Sequence, residues 1–105
     1  MIETLKKIFG IGSGVDYSQL IKNGAIILDV RTKSEYSGGH MKGSINIAVD
    51  QLSNNLYRFK NKAQPLITCC ASGMRSSTAK NILKSNGYTH VYNGGSWQSL
   101  QQKVN

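Results

Sequence analysis

The run Pro65-Leu66-Ile67-Thr68-Cys69-Cys70-Ala71-Ser72-Gly73-Met74-Arg75-Ser76 decides the fold. Its first half is apolar and β-branched behind a proline, which suits a short buried strand. From Ser76 the period changes. Ala79, Ile82, Leu83 and Asn86 fall three and four apart on one helical face, and Gly87 follows as a stop. Between strand and helix lies a small-residue loop that opens with a thiol and closes with a guanidinium. N–H groups at a helix start have no partner inside the helix, and they favour negative charge. A thiol held among them ionises more readily, and the thiolate is the nucleophile. Gly73 lets the backbone curl without a Cβ clash. Arg75 offers a planar positive fork for an oxyanion. The expected site is therefore an anion cradle: Cys70 as nucleophile, with Ala71, Ser72, Gly73, Met74 and Arg75 around the substrate.

Outward from this run, short strands alternate with helices. Asp16 and Gln19 form a capping-box pair for a helix that ends near Lys22, with Asn23-Gly24 as its stop. Ala25 to Val30 reads as a strand covered on both faces. Lys33 to Gly39 is a brief helical turn, and Ile45-Asn46-Ile47-Ala48 a short strand. Asp50 caps a helix carrying Leu52, Leu56, Tyr57 and Phe59. Thr89 to Tyr92 is a strand towards the sheet edge, Asn93-Gly94-Gly95 a turn, and Ser96 caps a last helix to Val104. This alternation predicts an α/β fold with a mostly parallel central sheet of about five short strands and helices on both faces. Ligands in such sheets sit beyond the carboxyl ends of strands, where Cys70 lies.

The single polar residues have structural readings. Asp29 ties down loop N–H groups and Arg31 pairs with Glu35, because a charge at a strand end needs a partner. His40 makes a fixed hydrogen bond in its turn, since nothing around it builds a triad or a metal set. Alternation points Cys69 away from Cys70, as a small buried hydrophobe. Trp97 reads as core.

At 105 residues the chain is one domain: a short segment over 1–14, then a globular unit over 15–105. Such a chain buries about two-thirds of its unfolded surface, enough for one core. The net charge of +8 attracts anions. The lysines are scattered, which reads as a solvated basic surface rather than a nucleic-acid patch. Two adjacent cysteines build neither a disulfide framework nor a zinc set. Met1 to Gly14 is too short and glycine-rich for a secretory or membrane segment, which places the protein in the cytoplasm. Its Gly10-Ile11-Gly12 is no nucleotide fingerprint, for no strand precedes it.

The chain resembles the rhodanese family of single-domain sulfurtransferases. The motif that carries the resemblance is Cys70-Ala71-Ser72-Gly73-Met74-Arg75, with four residues between Cys and Arg. Leu28-Asp29-Val30-Arg31 with Glu35-Tyr36 resembles the family's first signature, and Gly39-His40-Met41-Lys42-Gly43-Ser44-Ile45-Asn46-Ile47 its second. The resemblance implies a rhodanese-like fold and a persulfide on Cys70. That persulfide forms from a small anionic donor such as thiosulfate and passes to cyanide or a thiol, in covalent ping-pong catalysis. It implies no cofactor, no metal, no nucleic acid and no membrane partner, and a monomer or weak dimer. Cysteine phosphatases have five residues in this loop, and the tighter ring favours sulfur over a phosphoryl group or arsenate. Ala71 stands where many relatives carry Arg, which removes one anion-binding charge and suits a protein or small-molecule persulfide. The alternative is a persulfide carrier or protein-binding module with little thiosulfate activity. A purely binding module would lack the nucleophile, and this chain keeps Cys70 and Arg75.

Overall fold

The computed structural model describes residues 14–104. The short segment expected over 1–14 falls almost wholly outside them. Helix α1 (Tyr17–Lys22) begins at Asp16, whose carboxylate accepts the Gln19 N–H at 3.0 Å. It leads into strand β1 (Ile26–Asp29). Helix α2 (Lys33–Ser37) is closed by a capping box between Thr32 and Glu35, and precedes the two-residue strand β2 (Ile45–Asn46). A 3₁₀ helix (Val49–Arg58) connects to strand β3 (Leu66–Cys70). Helix α3 (Met74–Ser85), strand β4 (Val91–Ser96) and helix α4 (Trp97–Val104) complete the order.

The four strands are parallel in the order β2-β1-β3-β4. The sheet thus has four strands among the described residues rather than about five, because the rest of this stretch is helix or turn. Strand alternation divides the core in two. Leu28, Val30, Leu66 and Cys70 join Leu52 of the 3₁₀ helix, Phe59 just after it, and Ala79 and Leu83 of α3 on one face. Ile27, Ile67 and Cys69 join Tyr17 of α1 and Leu100 of α4 on the other. All five β3 residues are buried, which explains their continuous apolar run. Leu28, Leu52, Leu66, Ile67, Leu83 and Leu100 are fully buried; each contributes about 1.5–3 kcal/mol on leaving water.

Two expected elements differ. Asp50 is not a helix cap: the segment begins at Val49 and Ala48 makes no side-chain capping bond. Leu52 and Phe59 are buried but Tyr57 is 71% exposed, so Tyr57 does not share their face. Asn93-Gly94-Gly95 is not a turn but part of β4. Between the pairs Thr68↔Asn93 and Cys70↔Ser96, β4 spends one more residue than β3, which makes a bulge. Gly94 is required there, since a Cβ would sit 3.0 Å from Ile67 Cγ2 and from the Thr68 carbonyl oxygen. The strand thus continues where the bare backbone alone fits, with Asn93 opposite Thr68 just before the bulge and beside the Cys70 loop.

Candidate active site

Cys70 is the last residue of β3 and is fully buried. The chain then reverses through Ala71, Ser72 and Gly73 into α3. Gly73 is the N-cap of α3 at φ +102°, a conformation that a side chain resists. This geometry aims main-chain donors at the sulfur. The Gly73 N–H donates to Cys70 Sγ at 3.0 Å and the Ser76 N–H at 3.3 Å. Burial by itself raises the thiol's pKa. The Ser76 hydroxyl and the N–H groups of Ser76, Ser72 and Gly73 outweigh it, so Cys70 ionises below its ordinary range. Cys69 behaves in the opposite way. It faces the other core, and burial, with the nearby Asp29 carboxylate, pushes it up to about 12. Adjacent strand positions thus hold a thiol whose pKa is lowered and one whose pKa is raised.

The loop brings the expected residues to one place but gives Arg75 a different partner. Ala71 and Ser72 are exposed, and Met74 stands 78% exposed on the rim. Arg75 does not point a free fork into the cradle. Its Nη1 and Nη2 donate to Glu35 Oε1 and Oε2 of α2 at 2.7 and 3.0 Å. The guanidinium hydrogen bond and the Thr32 N–H hold the Glu35 carboxyl down at about 2.

The pairing of Arg31 with Glu35 is corrected by the same contact. Arg31 donates from Nε and Nη2 to the buried Asp29 carboxylate at 3.0 and 2.8 Å. It donates also to the main-chain oxygens of Gly39 at 2.7 Å and Glu35 at 3.3 Å. Asp29 in turn accepts the Arg31 main-chain N–H at 3.0 Å, as the strand-end lock requires. The two arginines thus divide the two carboxylates: Asp29–Arg31 staples the loop after β1, and Glu35–Arg75 staples the Cys70 loop to α2. His40 donates from Nδ1 to the Tyr36 carbonyl oxygen at 2.7 Å and stacks on that tyrosine ring. Trp97 is half-buried, with the Arg31 guanidinium 5.1 Å over its ring, so it is a lid on the staple rather than plain core.

Sequence reasoning missed two residues. Ser76 is fully buried beneath the sulfur, and Asn93 reaches it from β4, with Ser76 Oγ 2.6 Å from Asn93 Oδ1. Ser76 had a local signal, being one helical turn behind the loop on the face of Ala79 and Leu83. Asn93 had none, because its place depends on the pairing of β4 with β3.

A buried thiol ringed by main-chain donors at the carboxyl end of a parallel strand defines a cysteine anion-loop domain of α/β type. The family model for the Rhodanese-like domain matches residues 14–103, and the chain belongs to that family. It is 32% identical over 74 residues to thiosulfate sulfurtransferase PspE of Escherichia coli K12, covering 70% of this chain and 71% of PspE. It is 35% identical over 69 residues to the protein YqhL of Bacillus subtilis, covering 66% of this chain but 54% of YqhL, so it spans about half of that relative. The human single-domain sulfurtransferase TSTD1 superposes with a TM-score of 0.72 at 26% identity, covering 84% of this chain and 90% of that one.

Proposed function

We propose that this chain is a sulfurtransferase that carries a sulfane sulfur on Cys70. The observation that supports this most directly is the pair of N–H groups at 3.0 and 3.3 Å from a buried Sγ. They stabilise an anionic sulfur without a separate base. In the first step the Cys70 thiolate attacks the outer sulfur of a donor such as thiosulfate. The donor's S–S bond breaks, its electron pair leaves with sulfite, and Cys70 holds a persulfide. In the second step a thiol or cyanide attacks the outer sulfur, and the Cys70 thiolate returns. The partners in this reading are small anionic donors, thiophilic acceptors or a protein persulfide, met in the reducing cytoplasm where Cys70 stays free.

A second reading, a persulfide carrier with little thiosulfate activity, is favoured by two observations. Position 71 is Ala, and Arg75 is committed to Glu35, so the charge available to a dianion is small.

Intact-protein mass after incubation with thiosulfate, before and after cyanide, tests both. A gain of one sulfur atom, lost with cyanide and absent in Cys70→Ser, is the expected result. Turnover surviving in Cys70→Ser would remove Cys70 as nucleophile. A sulfur gained from an organic persulfide but not from thiosulfate would select the carrier.

A further inference from the structure

Ser76 has one hydroxyl proton and three neighbours within reach. Its Oγ lies 2.6 Å from Asn93 Oδ1, 3.0 Å from the Gly73 carbonyl oxygen and 3.5 Å from Cys70 Sγ. The Gly73 oxygen already accepts the Ser77 N–H at 3.1 Å and the Asn93 side-chain amide at 3.4 Å. The Gly95 N–H, which donates to Asn93 Oδ1 at 2.9 Å, fixes which amide atom faces Ser76. That atom is an acceptor only. The Ser76 proton therefore goes to Asn93, and the hydroxyl oxygen is left to accept the Cys70 S–H. Once the sulfur is an anion, the same hydroxyl must turn round to donate to it.

We infer that Asn93 is a positioning residue that competes with Cys70 for the hydroxyl proton of Ser76, so that Ser76 switches between accepting from the thiol and donating to the thiolate. In the sulfur-transfer cycle, on which the second half of this inference rests, the switch follows the charge. The persulfide carries its charge on the outer sulfur, and Asn93 keeps the Ser76 proton. When an acceptor attacks that sulfur, the S–S bond breaks and its electron pair stays on Cys70 Sγ. The Ser76 O–H then leaves Asn93 and stabilises the departing thiolate. No proton is transferred; one O–H bond rotates. The other charged and titratable groups around the sulfur stay in place: Arg75 paired with Glu35, Asp29 paired with Arg31, Cys69 on the far face, and Tyr17, whose hydroxyl donates to the Asn93 main-chain oxygen at 3.1 Å.

The test is the pH dependence of Cys70 alkylation by iodoacetamide, with the label placed by peptide mass. Asn93→Leu removes the competing acceptor, so Cys70 ionises at lower pH and is alkylated faster at neutral pH. The gain is about tenfold, the lower end of what one hydrogen bond to a charged group is worth. Asn93→Asp keeps the acceptor and adds a charge, so alkylation slows. In a Ser76→Ala background Asn93→Leu has no further effect, because the shared proton is gone. Asn93→Leu and parent chains that titrate alike, or an Asn93→Leu effect that persists without the Ser76 hydroxyl, overturn the inference. Should Asn93→Leu fail to fold, an Asn93→Asp chain alkylated as fast as the parent does the same. The assay reads the thiol itself, so a chain inactive toward every sulfur donor still gives a clear answer.

Discussion

Gly73→Ala separates the backbone's contribution to the thiolate from ordinary packing. Gly73 sits at φ +102°, and an added Cβ would meet only Gly95 Cα at 3.7 Å, an ordinary contact. The substitution is therefore a conformational perturbation, not a clash. Holding a side chain in such a region costs about 1–3 kcal/mol. Either the fold keeps this strain, or the loop relaxes and withdraws the Gly73 N–H from Sγ. The second route loses a hydrogen bond to a charged sulfur, worth about 1.5–3 kcal/mol, or roughly tenfold to a hundredfold in thiolate population. Gly24→Ala is the control. Gly24 has φ +95° with nothing within 4 Å of the added atom, and lies outside the Cys70 loop. Both variants should melt lower, by about 4–8 °C for each kcal/mol. Only Gly73→Ala should shift Cys70 alkylation to higher pH and slow sulfur loading. Thermal melting by circular dichroism and the alkylation pH profile check this. If Gly73→Ala melts well above Gly24→Ala, so that its loop has relaxed rather than kept the strain, but keeps the parent profile, the N–H ring is not what lowers the Cys70 pKa.

Other outcomes follow from the charge pairs and the two thiols. Glu35→Gln keeps the side chain able to cap α2 but frees Arg75, so KM for thiosulfate should fall severalfold; an unchanged KM would show that Arg75 cannot reach the donor. The Glu35 carboxyl is held at about 2, below its usual 4.5, so its contribution to stability is present above about 4.5 and is lost as pH falls toward about 2. In acid titrations followed by circular dichroism, Glu35→Gln should therefore lie closest to the parent at the lowest pH, and a difference that grows on acidification would reverse the sign of this pairing. Because Cys69 is pushed up to about 12, iodoacetamide at neutral pH should label Cys70 alone, and a doubly labelled native chain would contradict that burial.

The local half of this protein was legible in its residues. A proline-led apolar run, a small-residue loop and a change of period from two to three-or-four specify strand, loop and helix from neighbouring residues alone. The same alternation sent Cys69 and Cys70 to opposite cores, and the order of short strands and helices specified a parallel α/β sheet. What failed were particular partners that local spacing does not choose. Arg31 and Arg75 each had a carboxylate to find. Glu35 was credited to the arginine nearer in sequence, but the Asp29 carboxylate lies closer to Arg31 in space and leaves Glu35 to Arg75, forty residues away. The Gly94-Gly95 pair looked like a turn, because locally glycines mark turns. Packing against Ile67 and Leu100 made it a strand with a bulge instead. The register of β4 on β3, which sets Asn93 opposite Thr68, brings Asn93 to Ser76 beneath the sulfur. Short-range spacing is determined by covalent geometry, which the sequence contains. The pairing of charges and the seating of a bulge depend on which surfaces the topology brings together, and that is decided only when the sheet and its helices have closed on each other.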